Sequence, residues 1–178
     1  KDTLALHGHS VRQHAYSIAR GDREVATPPA VINGVIAVVG SDKAAIERAI
    51  ATTKREDAPF SVPVTLSVAG GNVTVNVPAA KDQHGTAEVW LCPITGKAQV
   101  TIGRGENRGH TLAYYNVVRR WVKLGEWNGQ AETFNVPLAS LPDAEFSLQD
   151  IDRVSVVVQS GGAAKPGLML GAATASLR

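Results

Sequence analysis

The glycine-rich segment 103–109 carries charged and amide side chains that suit either an internal ion pair or anion binding. It lacks the glycine spacing and the βαβ setting of a dinucleotide-binding loop. In the first interpretation, which we favour, the glycines adopt positive φ in a long hairpin that an ion pair from Glu106 to an arginine keeps ordered. In the second, the basic side chains converge on an anionic ligand or partner. The residues concerned are Arg104, Glu106, Asn107, Arg108, His110 and Arg119.

Three histidines near the start of the chain, His7, His9 and His14, form a second candidate site. Imidazoles this close in sequence bind zinc or copper when further ligands complete the set. Asp2 is the only carboxylate close to them in sequence, and no cysteine is. We therefore expect a solvated cluster where a helix begins, and no metal or other cofactor.

The single cysteine, Cys92, excludes an intrachain disulfide and a metal cluster held by thiolates alone. It lies in the apolar stretch 89–93 at the end of a predicted strand, which favours a packed side chain over a reactive thiol. The chain shows no nucleophile-elbow spacing and no paired catalytic carboxylates.

Length and composition indicate a globular protein of one ordinary domain or two small ones. The chain has 178 residues, of which 44% are hydrophobic and 19% charged. Its net charge of +2 is too small to favour nucleic acid as a partner. No apolar run approaches the ~18 residues that a membrane-spanning helix needs, so we predict no membrane span.

Short elements precede residue 58. Helical spacing predicts a helix over 10–20, and Asn33-Gly34 predicts a two-residue hairpin turn between short apolar strands. Ser41 or Asp42 then caps a second helix. These elements are too small to bury a core alone.

From residue 58 onward, apolar residues alternate with polar ones in short runs separated by turn residues. This pattern is typical of an antiparallel β-sandwich or barrel. We therefore predict two domains, residues 1–57 and 58–178. Within the second, Tyr115, Arg119 and Trp121 share one face of a predicted strand, either as an interface or as part of the core.

Four segments together resemble an exported bacterial family catalogued as domain of unknown function 1223. The first two are the Thr-Pro and Asn-Gly stretch 27–34 and the Val-Gly-Ser-Asp stretch 39–42. The others are Gly105-Glu106-Asn107 with the glycine at 109, and the Asn-Val-Val-Arg run at 116–119. The resemblance covers nearly the whole chain.

The resemblance implies an α+β fold, with a partial thioredoxin-like α/β segment followed by the β-rich domain. It implies export to the periplasm or medium. It also implies a cis peptide bond between Thr27 and Pro28, which would present backbone to an extended substrate; the alternative is an ordinary trans turn. The family's Cys-x-x-Cys-Pro segment has no counterpart here, so we expect this chain to be a fragment that is inactive as an enzyme by itself.

Two functions follow from the resemblance. In the first, the full-length protein handles thiols or disulfides through cysteines upstream of Lys1, as a thiol-disulfide oxidoreductase does. The missing N-terminal segment, or another protein, would then cover the incomplete thioredoxin-like half. In the alternative, the β-rich domain is a binding or docking module without catalytic activity.

Overall fold

The computed structural model of the protein describes residues 4, 7–21, 29–56, 58–80, 85–103 and 108–177. These residues form two α-helices, ten β-strands and two short 3-10 helices. The helices are α1 (His7–Arg20) and α2 (Lys43–Glu56), and the 3-10 helices are Leu138–Ser140 and Leu148–Asp150. The strands are β1 (Pro29–Ile32), β2 (Ile36–Val39), β3 (Thr65–Ala69), β4 (Asn72–Val77), β5 (Ala87–Thr101), β6 (Thr111–Val118), β7 (Val122–Trp127), β8 (Glu132–Pro137), β9 (Arg153–Gly162) and β10 (Lys165–Ser176).

The first elements form where local sequence predicts them. The Asp42 carboxylate accepts a hydrogen bond of 2.9 Å from the Ala45 backbone N–H and so caps α2. Asn33 and Gly34 have φ values of 50° and 85°. These left-handed values are what a two-residue hairpin turn requires, so β1 and β2 pair as predicted.

The β1–β2 hairpin is attached to strand β10. The Met169 backbone N–H donates to the Asn33 carbonyl at 3.0 Å. A Cβ atom on Gly34 would lie 2.1 Å from the Gly167 carbonyl oxygen, so only glycine permits this approach. On the other side of the turn, Asn33 Nδ2 donates to Thr53 Oγ1 of α2 at 2.6 Å. The hairpin therefore joins α2 to the larger sheet.

The remaining strands form two antiparallel sheets. The larger has the order β10-β9-β5-β6, and β7 also pairs with β5. The 15-residue strand β5 pairs with β7 and then with β6 along one edge, and with β9 along the other. The smaller sheet has the order β3-β4-β8.

One apolar core lies between these sheets. Alternate residues of a strand point to opposite faces, so the inner face of the large sheet is a continuous aliphatic surface. It packs against Val73, Val75 and Val77 of the small sheet. Trp127, which has no exposed surface, joins the same core and donates its indole N–H to the Gln130 carbonyl at 2.5 Å. The large-sheet residues are Ala87, Val89, Leu91, Val154, Val156, Val158 and Leu170.

The outer face of the large sheet lies beneath α1. Tyr16 of α1 shares hydrogen bonds with Gln159 of β9, which fixes the helix on this face. Trp90 and Cys92 alternate with the core residues of β5 and point to the same side as Gln159. This face therefore carries polar, aromatic and sulfur-containing side chains, where the inner face is aliphatic apart from Trp127.

The predicted α+β fold class is wrong. The protein is mostly β, and its sheets are antiparallel. Within the described residues, β1 and β2 pair only with each other, and no thioredoxin-like α/β sheet forms around them. The physical reason is the docking of the hairpin turn on β10, which places these elements on the large sheet. The described strands do not close into a barrel, and the division into residues 1–57 and 58–178 stays a prediction.

Candidate functional site

A cavity of about 460 Å³ opens between the N-terminal half of α1 and the outer face of the large sheet. Its walls come from elements far apart in sequence: α1, strand β5, the connection between β6 and β7, and the segment around residues 143–145. Its volume lies in the range of about 300–1,000 Å³ that small-molecule sites occupy. It is therefore the candidate binding site of the protein.

Two tryptophans form a corner of this cavity. The rings of Trp90 and Trp121 are nearly perpendicular, at 81°, with centroids 6.2 Å apart. The guanidinium carbon of Arg12 lies 3.7 Å from the centre of the Trp121 ring, which is a close cation–π contact. The cavity thus joins aromatic surface to a positive charge.

Arg12 is held by a hydrogen-bonded group on the outer face of the sheet. Its Nη2 donates to Gln159 Oε1 and, at 3.1 Å, to the Tyr16 hydroxyl. Gln159 is only 2% exposed, and its Nε2 donates to the Tyr16 hydroxyl at 2.9 Å and to the Gly167 carbonyl at 2.7 Å. Arg12 Nε is buried without a hydrogen-bond partner. The group therefore fixes the guanidinium but leaves one of its donors unsatisfied.

Arg119 is the second cation of the cavity, and it is only 9% exposed. Its backbone N–H donates to the Pro93 carbonyl at 2.8 Å, and its Nη2 donates to the Glu145 carbonyl at 3.1 Å. The Phe146 ring lies 5.5 Å from its guanidinium carbon. Its Nε, like that of Arg12, is buried without a partner.

Neither arginine has a carboxylate as a partner in the part of the chain that the structure describes. Asp143 and Glu145 line the cavity, but both are exposed at its mouth. The Asp143 carboxylate instead accepts the Glu145 backbone N–H at 2.8 Å. Arg120, also exposed, adds a third positive charge at the mouth. The interior of the cavity is therefore positive and its mouth carries both signs.

His9 lies at the cavity beside Arg119. Burial lowers the pKa of His9 below its ordinary value of 6.5, and the positive charge of Arg119 lowers it further. A hydrogen bond with the Val118 backbone acts in the opposite direction. His9 is therefore neutral at physiological pH, and its protonation would add a charge next to Arg119.

The structure places the predicted site residues in different situations. Arg119 lies in the cavity, whereas Arg108 is exposed and does not line it. Thr27, Pro28, Arg104, Glu106 and Asn107 lie outside the described residues. The cis bond and the ordered loop therefore stay predictions, as does ligand contact by any of these side chains.

The histidines and the cysteine give no second site. His7 and His9 line the cavity, but His14 is exposed elsewhere on α1. Across the described ranges, no three His, Cys, Asp or Glu side chains lie close enough together to hold a metal ion. Cys92 is 3% exposed, and burial raises its pKa to about 12 in spite of the nearby Arg12 charge. A thiol in this state is a poor nucleophile.

Sequence reasoning missed Arg12, Tyr16, Trp90 and Gln159 as members of one site. The available signal was the alternation along β5, which places Trp90 opposite the aliphatic face and beside Cys92.

None of the helices among the described residues has the length and apolarity needed to span a bilayer.

The chain is similar in structure to a protein from Agrobacterium tumefaciens whose crystal structure is known. The TM-score is 0.80 at 26% sequence identity, and the likeness covers 98% of this chain and 72% of that one. A β-glucosidase from Kluyveromyces marxianus, in a crystal structure with glucose, covers 67% of this chain and 14% of its own at 12% identity. Its TM-score of 0.28 is too low to support any inference. The curated proteins yield no match to the chain.

A sequence profile settles the family. The profile of a protein family of unknown function, DUF1223, matches residues 1–159. This match spans most of the chain, including α1, the two tryptophans and Arg119. It confirms the resemblance seen in the four sequence segments, and the chain belongs to the DUF1223 family.

Proposed function

We propose that the protein is a binding module that holds an anionic group of a ligand in the cavity between α1 and the large sheet. The observation that carries the proposal is the pair of guanidinium groups, Arg12 and Arg119, that have buried donors and no carboxylate partner among the described residues. Their surroundings are a concave surface that includes the rings of Trp90 and Trp121. This combination is typical of a ligand site.

Arg119 is the more buried of the two arginines. A charged side chain that is nine-tenths buried loses hydration, and this loss costs several kcal/mol unless a counter-charge and hydrogen bonds offset it. The Glu145 carbonyl supplies one hydrogen bond and no charge. An anion in the cavity that both arginines line would supply the missing charge. Binding of an anion would therefore offset part of the free-energy cost of burying the Arg119 charge.

Thiol or disulfide handling remains a prediction that depends on cysteines outside this sequence. The buried Cys92, with a pKa raised to about 12, gives it no support. Export and a partner that covers the N-terminal half likewise stay predictions from the family resemblance.

The test replaces Arg119 by methionine, which keeps an unbranched side chain but removes the charge. Removing a buried, unpaired cation is expected to leave the protein folded, with unchanged or higher stability. The melting temperature is measured with sodium acetate, benzoate or phosphate against sodium chloride at equal ionic strength. We expect at least one of these anions to stabilise the wild type, and Arg119→Met to lose that response.

Arg48→Met is the matched control, because Arg48 is an exposed arginine on α2 and does not line the cavity. It removes the same charge from the molecule, so it is expected to keep the full anion response. The proposal is refuted if no anion in the panel stabilises the wild type more than chloride does. It is also refuted if Arg119→Met and Arg48→Met respond alike.

A further inference from the structure

We infer that the ligand is a monoanionic carboxylate carried on a flat aromatic group. This inference rests on the proposed function, since it names the chemical class that the same cavity selects. It follows from two observations, the aromatic corner and the size of the cavity, and from the cost of desolvating an anion there.

The aromatic corner consists of two rings nearly at right angles, and Arg12 covers one of them. Trp90 and Trp121 meet at 81°, so a flat ring that stacks on Trp90 lies nearly perpendicular to Trp121. The guanidinium carbon of Arg12 lies 3.7 Å from the centre of the Trp121 ring and 5.5 Å from the centre of the Trp90 ring. A ring stacked on Trp90 therefore brings a substituent at its edge close to the Arg12 guanidinium group.

The size of the cavity argues against a small inorganic anion. A volume of about 460 Å³ exceeds what acetate or phosphate fills, and either ion would leave the tryptophan surfaces in contact with water. Burial of apolar surface contributes roughly 25 cal/mol per Å² to the binding free energy. A ligand with an aromatic body should therefore bind more tightly than acetate or phosphate. The cavity therefore fits an anion with a substantial apolar part.

The cost of desolvation favours one negative charge over two. The attraction of the half-buried Arg12 and the buried Arg119 for an anion is proportional to the charge of that anion. The cost of removing the anion from water rises with the square of its charge, so a phosphate dianion gains about twice the attraction of a carboxylate at about four times the desolvation cost.

The test compares four probes: benzoate, its neutral analogue benzamide, acetate and inorganic phosphate. Dissociation constants are measured by titration calorimetry on the full chain. Benzoate is expected to bind at least about tenfold more tightly than each of the other three. The pair benzoate and benzamide tests the charge, and the pair benzoate and acetate tests the aromatic body.

The three tryptophans provide a readout that locates the binding. Their indole N–H signals in an NMR spectrum report separately on Trp90 and Trp121 in the cavity and on Trp127 in the core. Benzoate should shift the first two and leave the third unchanged, because Trp127 has no exposed surface. Trp121→Leu should weaken benzoate binding by about tenfold or more. If that variant fails to fold, the wild-type spectrum still decides the question.

The outcomes separate this inference from the proposed function. Equal binding of acetate or phosphate with shifts at Trp90 and Trp121 would overturn the aromatic specificity and leave the anion site standing. Equal binding of benzoate and benzamide would overturn both, since charge would then play no part. Shifts at all three indoles, or at none, would also overturn both.

Discussion

The two faces of the large sheet are stabilised by different kinds of interaction. The inner face consists of aliphatic side chains without exposed surface, such as Leu91 and Val156, packed on the small sheet. The outer face carries Trp90, Cys92 and Gln159, and α1 covers it with a guanidinium and a phenol. One face thus gains its stability by excluding water from hydrocarbon, whereas the other must satisfy buried donors and charge.

This difference indicates which face is free to bind. Close-packed aliphatic side chains have no unmet hydrogen-bonding capacity, so the inner face has nothing to offer a ligand. The outer face keeps two guanidinium Nε donors without partners beside a cavity. The proposed ligand site and the stabilising core therefore lie on opposite sides of the same strands, and variants should separate binding from fold stability.

The largest effect is expected on the inner face, from Leu91→Ala. Leu91 has no exposed surface and lies in the core between the two sheets. Its truncation should lower the free energy of unfolding by about 2–5 kcal/mol, because the lost burial and the cavity left behind add together. Urea unfolding measures the loss, and benzoate affinity should stay unchanged while the variant is folded. A loss below about 1 kcal/mol would show that the inner face is not closely packed.

A smaller effect is expected on the outer face, from Gln159→Leu. The substitution introduces an apolar side chain of similar size and removes the acceptor for Arg12 and the donor to Tyr16 and Gly167. Because these groups are left buried without partners, the free energy of unfolding should fall by about 1–3 kcal/mol. Urea unfolding again provides the measurement.

A double-mutant cycle with Arg12→Met sharpens this second prediction. When Arg12 is already methionine, Gln159→Leu no longer leaves a guanidinium group without its acceptor. The loss in free energy of unfolding caused by Gln159→Leu should therefore be smaller in the Arg12→Met background than in the wild type. Additive costs would show that Arg12 and Gln159 do not depend on each other, and that the outer face is organised by something else.

The inner face could be predicted from sequence, and the outer face could not. The alternating valines of 73–77 and 154–158 predict strands with one buried side, and Asn33-Gly34 predicts its turn, because these signals are local. Arg12 and Gln159 are 147 residues apart, and no local pattern indicates that α1 lies over β9. The same limit explains the incorrect thioredoxin-like interpretation. The order of helix, hairpin and helix is local, whereas the contact of Gly34 with Gly167 that positions the hairpin is not.

The smallest effect is expected from pH, through His9 on the outer face. Burial and Arg119 lower the pKa of His9 in the folded protein below its ordinary value of 6.5. At a pH between these two pKa values, the unfolded chain binds more protons at His9 than the folded protein does. The contribution of neutral His9 to the free energy of unfolding is therefore fully present above about pH 6.5 and is lost as the pH falls through the folded pKa. His9→Gln cannot titrate, and every other group is common to both proteins. The stability of the wild type relative to His9→Gln should therefore decline on acidification, as melting temperatures between about pH 8 and pH 5 would show.

Benzoate connects this pH effect to the comparison of the two faces. A carboxylate bound near Arg119 would offset the charge that lowers the pKa of His9, so that pKa should rise toward its ordinary value. Benzoate should therefore reduce the decline of the wild type relative to His9→Gln, and its affinity for the wild type should increase as the pH falls. The Leu91→Ala variant, altered on the inner face, should show the same two responses. Parallel pH curves for the wild type and His9→Gln would mean that His9 is solvated in the folded protein, contrary to its placement beside Arg119.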